Sequence, residues 1–321
     1  MPLASVCIVT PALAEANNGN WQTASRWARM LRGQYRVDLY DHWQGEPADI
    51  LVALHARRSA ASIDRWSAER PHAPVVVVLT GTDLYRDIHV DSTAQRSLEL
   101  ADRLIVLHER AVDDLPLRHR AKAIACFQST TSRVPLIKTA HHLRALMVGH
   151  LRQEKDPRTY FEAARRLAQR SDILLDHIGG ALDPSLGHEA RELQNTTSQY
   201  RWLGALSHEL TRGRIQGAHV LVHPSRLEGG AHVVMEAICS GTPVLGSRIS
   251  GNVGMLGADY SGYFEPGDAP GLATLLRRCR DDPAILVSLR EQCAARAALF
   301  KPVHERTTLR ALLDELLEKP R

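Results

Sequence analysis

The chain has 321 residues, 44% of them hydrophobic and 24% charged, a globular balance that argues against a fibrous, disordered or membrane-embedded protein. Its formal charge of +4 is a small excess of 40 basic over 36 acidic residues. Without a basic stripe or an aromatic-basic platform, that excess gives no reason to expect a nucleic-acid partner. Five cysteines, Cys7, Cys126, Cys239, Cys279 and Cys293, form no C-x-x-C pair and no zinc spacing, and read as reduced thiols of a cytoplasmic protein.

The chain is longer than one hydrophobic core usually serves, so two domains of roughly 150 residues are expected. The opening stretch MPLASVCIVTPALAEANNG has no basic flank before its short apolar run. No run of about 18 apolar residues occurs anywhere, so neither secretion nor stable membrane association is expected. Apolar runs rich in β-branched residues predict strands at Ser5–Thr10, Arg36–Tyr40, Ile50–Leu54, Val75–Leu79, Arg103–Leu107 and Ala121–Phe127. Helices fit between them, as at Asn20–Leu31, where Trp21, Ala24, Ala28 and Leu31 fall at helical spacing. The polar segment Arg133–His142, which carries Pro135, is the expected linker. A second series follows at Leu143–Val148, Ile173–Ile178, Tyr200–Leu203, Val220–His223, Pro243–Ser247 and Gly262–Phe264, and Thr307–Leu317 reads as one amphipathic helix. This alternation predicts an α/β protein of two doubly wound, Rossmann-like domains, 1–138 and 139–300. The remainder, 301–321, is expected to be a C-terminal helix packing back toward the N-terminal domain.

The strongest chemical signal is HPSRLEGGAHVVMEAICSGTPVLGS, from His223 to Ser247. It reads as a strand, a turn holding Glu228, Gly229 and Gly230, a helix carrying Glu236, and a Gly241-Thr242-Pro243 stop. The small residues Gly229, Gly230 and Ala231 let a diphosphate approach backbone N–H groups where the helix begins. Glu236 follows Glu228 by eight residues, about two helical turns, so on a continuous helix both carboxylates address one ligand from one side. Two acids would repel a diphosphate, but they suit hydroxyls: Glu236 a ribose diol, Glu228 the hydroxyls of a sugar.

This arrangement resembles the Glu-x7-Glu motif of the large glycosyltransferase family typified by sucrose and glycogen synthases and bacterial mannosyltransferases. The resemblance extends over most of the chain. It implies the GT-B fold, two Rossmann-like domains facing each other across a cleft, and a nucleotide-sugar donor. MVGHLRQEKDP, Met147 to Pro157, is similar to the family's strand-to-loop motif, in which an arginine and a lysine neutralise the donor diphosphate. Lys155 matches the lysine. His150 stands at the arginine and Arg152 follows it, so either His150 or Arg152 is left to make the second contact. Leu203-Gly204-Ala205-Leu206 resembles the segment that frames the base, which brings Leu206 to the nucleotide, and Glu265-Pro266-Gly267-Asp268 resembles the family's terminal turn. Asn17-Asn18-Gly19-Asn20 resembles the loop that opens a helix under the donor, which implicates Gly19 and Asn20.

LTGTDLYRD, Leu79 to Asp87, resembles a His-Gly-Ser-Asp sequence facing the sugar, with Thr80 at the histidine and Asp83 at the aspartate. A transferase that activates a neutral hydroxyl would keep a polar base there, whereas an acceptor that is already an anion does not need one. LHARRSAAS, Leu54 to Ser62, sets His55, Arg57 and Arg58 beyond a strand and ahead of a helix, as suits an anion receptor. Thr82 and Arg86 complete the expected acceptor contacts, and Glu228, Lys155, Thr80 and Asp83 are the expected catalytic residues. Cys126-Phe127-Gln128-Ser129 offers further polar contacts at another strand end.

GHLRQEKDP, PSRLEGGAH, SRISGNVGMLG, the Leu54–Ser62 turn and LTGTDLYRDI together resemble one branch of the family, the transferases that form selenosugars in selenoneine biosynthesis. That resemblance implies a UDP-sugar donor, UDP-N-acetylglucosamine or UDP-glucose, selenophosphate as acceptor, and release of UDP and phosphate. No cofactor and no metal are expected, since a D-x-D carboxylate pair is missing and Lys155 can take the diphosphate charge. Two other readings stay open. One is a lipid or glycan hydroxyl acceptor, suggested by Arg26, Trp27, Arg29 and Arg32 on a helix that could meet an anionic membrane; the other is an epimerase or non-catalytic binder on the same scaffold.

Overall fold

The computed structural model describes residues 3–11 and 19–318. They form two compact units, Met1–Ser129 with Pro302–Arg321, and Thr130–Lys301. Asn17 and Asn18 of the expected donor loop lie outside the described residues.

The first unit holds a six-stranded parallel sheet of β1 (Ser5–Val9), β2 (Arg36–Tyr40), β3 (Ile50–Leu54), β4 (Val75–Val78), β5 (Arg103–Val106) and β6 (Ala123–Ala125), in the order β2-β1-β3-β4-β5-β6. Strands β1, β3 and β4 are buried along their whole length, whereas the edge strand β2 is not. Helices cover both faces of such a sheet, so its central strands read as unbroken apolar runs. One face packs on Trp43, Ile63, Trp66 and Leu98; the other packs on Trp27, Leu31, Leu309, Leu313 and their neighbours.

The C-terminal helix Pro302–Glu318 therefore belongs to the first unit's core. Its fastener is Glu305, fully buried, which accepts hydrogen bonds from Arg26 (3.0 Å), Trp27 Nε1 (2.6 Å), and Ser129 N (2.9 Å) and Oγ (2.5 Å). Arg26 and Trp27 consequently face inward. The membrane-facing role expected for that side of the helix Gly19–Leu31 is overturned for both residues; only Arg29 and Arg32 of the four are exposed.

The second unit holds β7 (Leu143–Val148), β8 (Ile173–Ile178), β9 (Tyr200–Trp202), β10 (Val220–His223), β11 (Val244–Ser247) and β12 (Tyr263–Phe264), all parallel, ordered β12-β11-β10-β7-β8-β9. Each strand expected from the sequence is present, trimmed by at most two residues at an end. Segment 133–142 departs from its expected role as a linker. It is laid along the second unit, with Arg133 N bonded to Cys239 O, Gln216 Nε2 to Val134 O and Lys138 Nζ to Gln216 O.

In an open parallel sheet, ligands bind beyond the carboxyl ends of the strands where the chain order reverses. Those points lie between β1 and β3 in the first unit and between β7 and β10 in the second.

Candidate active site

In the second unit the loops that leave β7 and β10 meet at the reversal point. After β7 the chain runs through Gly149 and His150 to Lys155, and after β10 through Pro224 and Ser225 to Glu228. Lys155 Nζ and Glu228 Oε1 are in direct contact, although 73 residues separate them. Both side chains are largely buried, at 18% and 12% exposure. Burial alone would raise the Glu228 pKa, but the Lys155 charge, with His223 beside it, holds its carboxyl well below the usual range. A second tie joins the same loops: Arg226 donates its backbone N–H to Glu154 O (2.9 Å) and its guanidinium to Asp156 (3.0 Å).

The β7 loop is held from below by the loop after β8. His177, at zero exposure in β8, donates from Nε2 to Gly149 O (3.0 Å), and its Nδ1 accepts from Tyr200 Oη (3.1 Å). Burial pushes the His177 pKa down to about 4, which keeps the ring neutral. A Cβ on Gly179 would stand 1.9 Å from Gly149 O, so the close approach of these loops requires glycine.

His150 and Arg152 separate in role. The Nδ1 of His150 accepts from Gly180 N (3.1 Å), and burial together with the Arg152 and Lys155 charges lowers its pKa. His150 thus fastens the loop to Gly180, and Arg152 is exposed.

Glu236 lies on the helix His232–Ile238, which starts after Glu228. Glu228, Gly229 and Gly230 stand in the turn ahead of that helix, as the sequence reads, so the two carboxylates do not share one continuous helix. Glu236 is 5% exposed, and its Oε1 lies 2.6 Å from His208 Nε2, which raises the His208 pKa. Leu206, half-buried, sits in the irregular stretch two residues ahead of His208.

In the first unit the acceptor candidates gather on the loops that leave β3 and β4, next to the reversal point. His55, directly after β3, is buried at 2% and adopts φ of 73°, a left-handed conformation that costs a non-glycine residue. Its Nδ1 accepts from Arg58 N (3.3 Å), so Nε2 carries the hydrogen and donates to Thr82 Oγ1 (3.1 Å). After β4 the chain forms a π-helical turn over Asp83–Asp87, a geometry frequent at functional sites.

Asp83 is fully buried and accepts from Thr80 N (2.9 Å), Gly81 N (2.9 Å) and Ala56 N (3.0 Å). It shapes the two loops with its whole carboxylate engaged. Asp87, absent from the sequence-based set, binds Arg57 Nε (2.9 Å) and Arg86 Nε (2.9 Å). Against burial, those two bonds hold the Asp87 carboxyl below its ordinary pKa. The guanidiniums of Arg57 and Arg58 are exposed. Gly19 and Asn20 begin the helix Gly19–Leu31, where Thr23 Oγ1 donates to Gly19 O (2.8 Å) and accepts from Gln128 Nε2 (2.5 Å). Cys126 packs in the core.

Sequence reasoning missed His177, His208 and Asp87 as members of these networks. Asp87 was the most legible, standing one helical turn beyond Asp83 in the same motif. Among the described residues no group of three or more His, Cys, Asp or Glu is placed to hold a metal ion, and no helix is long and apolar enough to cross a membrane.

Known proteins share this architecture. The chain is 22% identical over 233 residues to 2-deoxystreptamine N-acetyl-D-glucosaminyltransferase of Niallia circulans, covering 71% of this chain and 55% of that protein, so it spans just over half of that relative's length. Sucrose-phosphate synthase from Thermosynechococcus elongatus superposes with a TM-score of 0.79 at 16% identity, over 98% of this chain and 99% of the other. Anabaena Alr3699/HepE in complex with UDP superposes at 0.76 and 14% identity, over 97% and 100%. The fold is accordingly the α/β GT-B fold. Residues 133–300, just over half of the chain, match the model of the glycosyl transferases group 1, and the chain belongs to that family.

Proposed function

We propose that the protein is a glycosyltransferase that moves a sugar from UDP-N-acetylglucosamine or UDP-glucose to selenophosphate. The observation that carries the donor half of this reading is the Lys155–Glu228 pair at the β7/β10 reversal point. A diphosphate competes with Glu228 for Lys155 and Arg152, and the freed carboxylate then accepts hydrogen bonds from the sugar. Glu236, through Oε2, accepts from the ribose, and the stretch at Leu206 borders the base. Family membership and the UDP held by Anabaena Alr3699/HepE support the same donor class.

For the acceptor, support comes from the first unit. Thr80 leaves no base at the position that faces a sugar hydroxyl in the resembling sequences, while Arg57 and Arg58 present exposed guanidiniums beside the strained His55 turn. Selenophosphate arrives ionised, so orientation and leaving-group stabilisation suffice. A selenium lone pair forms the bond to the anomeric carbon as the bond to the diphosphate oxygen breaks, its electron pair leaving with UDP. Water then cleaves the Se–P bond, giving phosphate and the selenosugar. Lys155 and Arg152 carry the diphosphate charge in this scheme, so no metal is required and chelator leaves turnover unchanged.

Mass spectrometry after incubation with each UDP-sugar and selenophosphate tests the proposal, with a selenium-containing sugar and free UDP as the expected products. UDP release only with a hydroxyl acceptor would replace selenophosphate by a conventional acceptor. Binding without UDP release under any acceptor would make the chain an epimerase or a binder.

A further inference from the structure

The helix Ser250–Leu256 stands behind the glutamate loop and contacts it twice. Gly251 meets the Glu228 backbone so closely that a Cβ there would lie 2.1 Å from Glu228 O. Its neighbour Asn252, fully buried, reaches Glu228 through His223. The Nδ2 of Asn252 donates to Ser247 O (2.9 Å), which fixes Oδ1 as an acceptor, and that oxygen lies 2.8 Å from His223 Nδ1. The hydrogen on His223 is thereby assigned to Nδ1.

The other ring nitrogen faces the glutamate. His223 Nε2 lies 3.5 Å from Glu228 Oε1 and 3.3 Å from Ser225 Oγ. A neutral ring with its hydrogen at Nδ1 turns a lone pair toward that carboxylate, whereas a second proton at Nε2 makes a charge-assisted hydrogen bond. In the structure Lys155 supplies the counter-charge to Glu228. Of the other cations at this junction, Arg226 is bound to Asp156 at 3.0 Å, and Arg152 goes with Lys155 to the diphosphate in the donor reading. When Lys155 turns to a diphosphate, Glu228 keeps the hydrogen bonds of the sugar but becomes a largely buried carboxylate without a counter-charge, a costly state.

We propose that His223 is a positioning residue for sugar transfer: on donor binding it takes up a proton at Nε2 and holds Glu228 in place of Lys155. The proposal rests on the donor roles given above to Lys155 and Glu228. The proton comes from solvent and returns there when UDP leaves and Lys155 pairs again with Glu228, so none is consumed over a cycle.

Titration calorimetry of the full chain with UDP-glucose and with UDP-N-acetylglucosamine, at one pH in buffers of different ionisation enthalpy, counts the protons taken up. UDP-sugars suit this because their diphosphate does not titrate near neutrality. The wild type is expected to take up as much as one proton per donor bound. His223→Gln keeps an N–H for Glu228 but cannot titrate; it is expected to take up none and to lose about 10-fold in kcat with KM within about 3-fold. His223→Phe, which has neither property, is expected to lose about 100-fold in kcat.

A purely structural histidine would leave proton uptake untouched. Uptake that persists in His223→Gln, or is absent from a wild type that binds donor, overturns the proposal and leaves the donor reading standing. A wild type that binds neither UDP-sugar overturns the donor reading, and this proposal with it. The wild-type count needs no substitution, so a variant that fails to fold does not shelter the idea.

Discussion

Gly251 packs against the backbone of Glu228: a β-carbon on the glycine would stand 2.1 Å from the glutamate carbonyl oxygen and 2.9 Å from its carbonyl carbon. Neither atom can swing aside as a side-chain tip could, so Gly251→Ala must displace the loop that carries Glu228. A shift of about 1 Å at a reacting group can cost about 100-fold in rate, and the overpacking is expected to cost about 1–3 kcal/mol of stability. UDP release and urea unfolding measure the two effects. Gly213→Ala is the control, since nothing lies within 4 Å of its Cβ position; it is expected to stabilise its helix by up to about 1 kcal/mol. A Gly251→Ala protein with wild-type turnover would show that the loop's position does not matter.

Lys155→Met leaves the Glu228 carboxylate largely buried without its main counter-charge. Breaking such a pair costs about 3–5 kcal/mol when both partners are buried, and the partial exposure here argues for the lower end. Because the folded Glu228 pKa is held below its unfolded value, the pair's contribution is complete above that unfolded value and is lost as pH falls through the folded one. The variant should therefore converge on the wild type in strong acid. Adding Glu228→Gln to Lys155→Met removes the stranded charge and is expected to recover stability but not turnover. Denaturant titrations of the three proteins at neutral pH and in acid make the comparison.

The pattern of strands was legible because strands covered on both faces must be apolar throughout, as at Ser5–Val9 and Val75–Val78. Strand ends were less legible, since residues such as Thr10 and Leu79 stay apolar or β-branched past the last paired residue. The motif at Glu228 was readable from its glycines, and the loop at Lys155 from its resemblance. Their contact was not readable from spacing, because it depends on β7 and β10 becoming neighbours across 73 residues of chain. Partners such as Asn252 for His223, and Glu305 for Arg26 and Trp27, left no local signal either. A buried polar residue announces that it needs a partner without saying which one. The turn at Glu228 ahead of the Glu236 helix was legible for a local reason: two consecutive glycines favour a turn over a helical start.

His177 makes the second unit sensitive to mild acid. Its pKa falls from the ordinary histidine value to about 4 because burial disfavours the charged ring. Between roughly pH 6.5 and that folded value the unfolded chain binds a proton that the folded chain refuses, so stability declines as pH falls and levels off below it. At about 1.4 kcal/mol per unit, lowering the pH from 7.5 to 5 is expected to remove about 2 kcal/mol through this residue. His177→Gln can keep the donor to Gly149 O without titrating. Its unfolding free energy should start lower than the wild type's at neutral pH and lose about 2 kcal/mol less on acidification.

Glu305 is the test of how the C-terminal helix is secured. One carboxylate accepts from Arg26, Trp27 Nε1 and both donors of Ser129. Glu305→Ala strands all of them in a region where Arg26 is only 14% exposed and Trp27 is 1% exposed. Loss of about 3–5 kcal/mol is expected in the first unit's unfolding. Glu305→Gln keeps the volume and one acceptor oxygen but not the charge, and is expected to fall between alanine and wild type. The packing of Leu309, Leu312, Leu313 and Leu316 gives a competing account, in which apolar burial alone secures the helix and the carboxylate adds little. Arg26→Met with Glu305→Met separates the two, because replacing both ends of a buried ion pair by apolar side chains can restore what breaking one end removed. If the double variant regains most of the lost stability, the penalty came from stranded polar groups and the leucines hold the helix. If it stays as unstable as Glu305→Ala, the unpaired Trp27 and Ser129 donors, which the double variant also leaves without an acceptor, account for the cost.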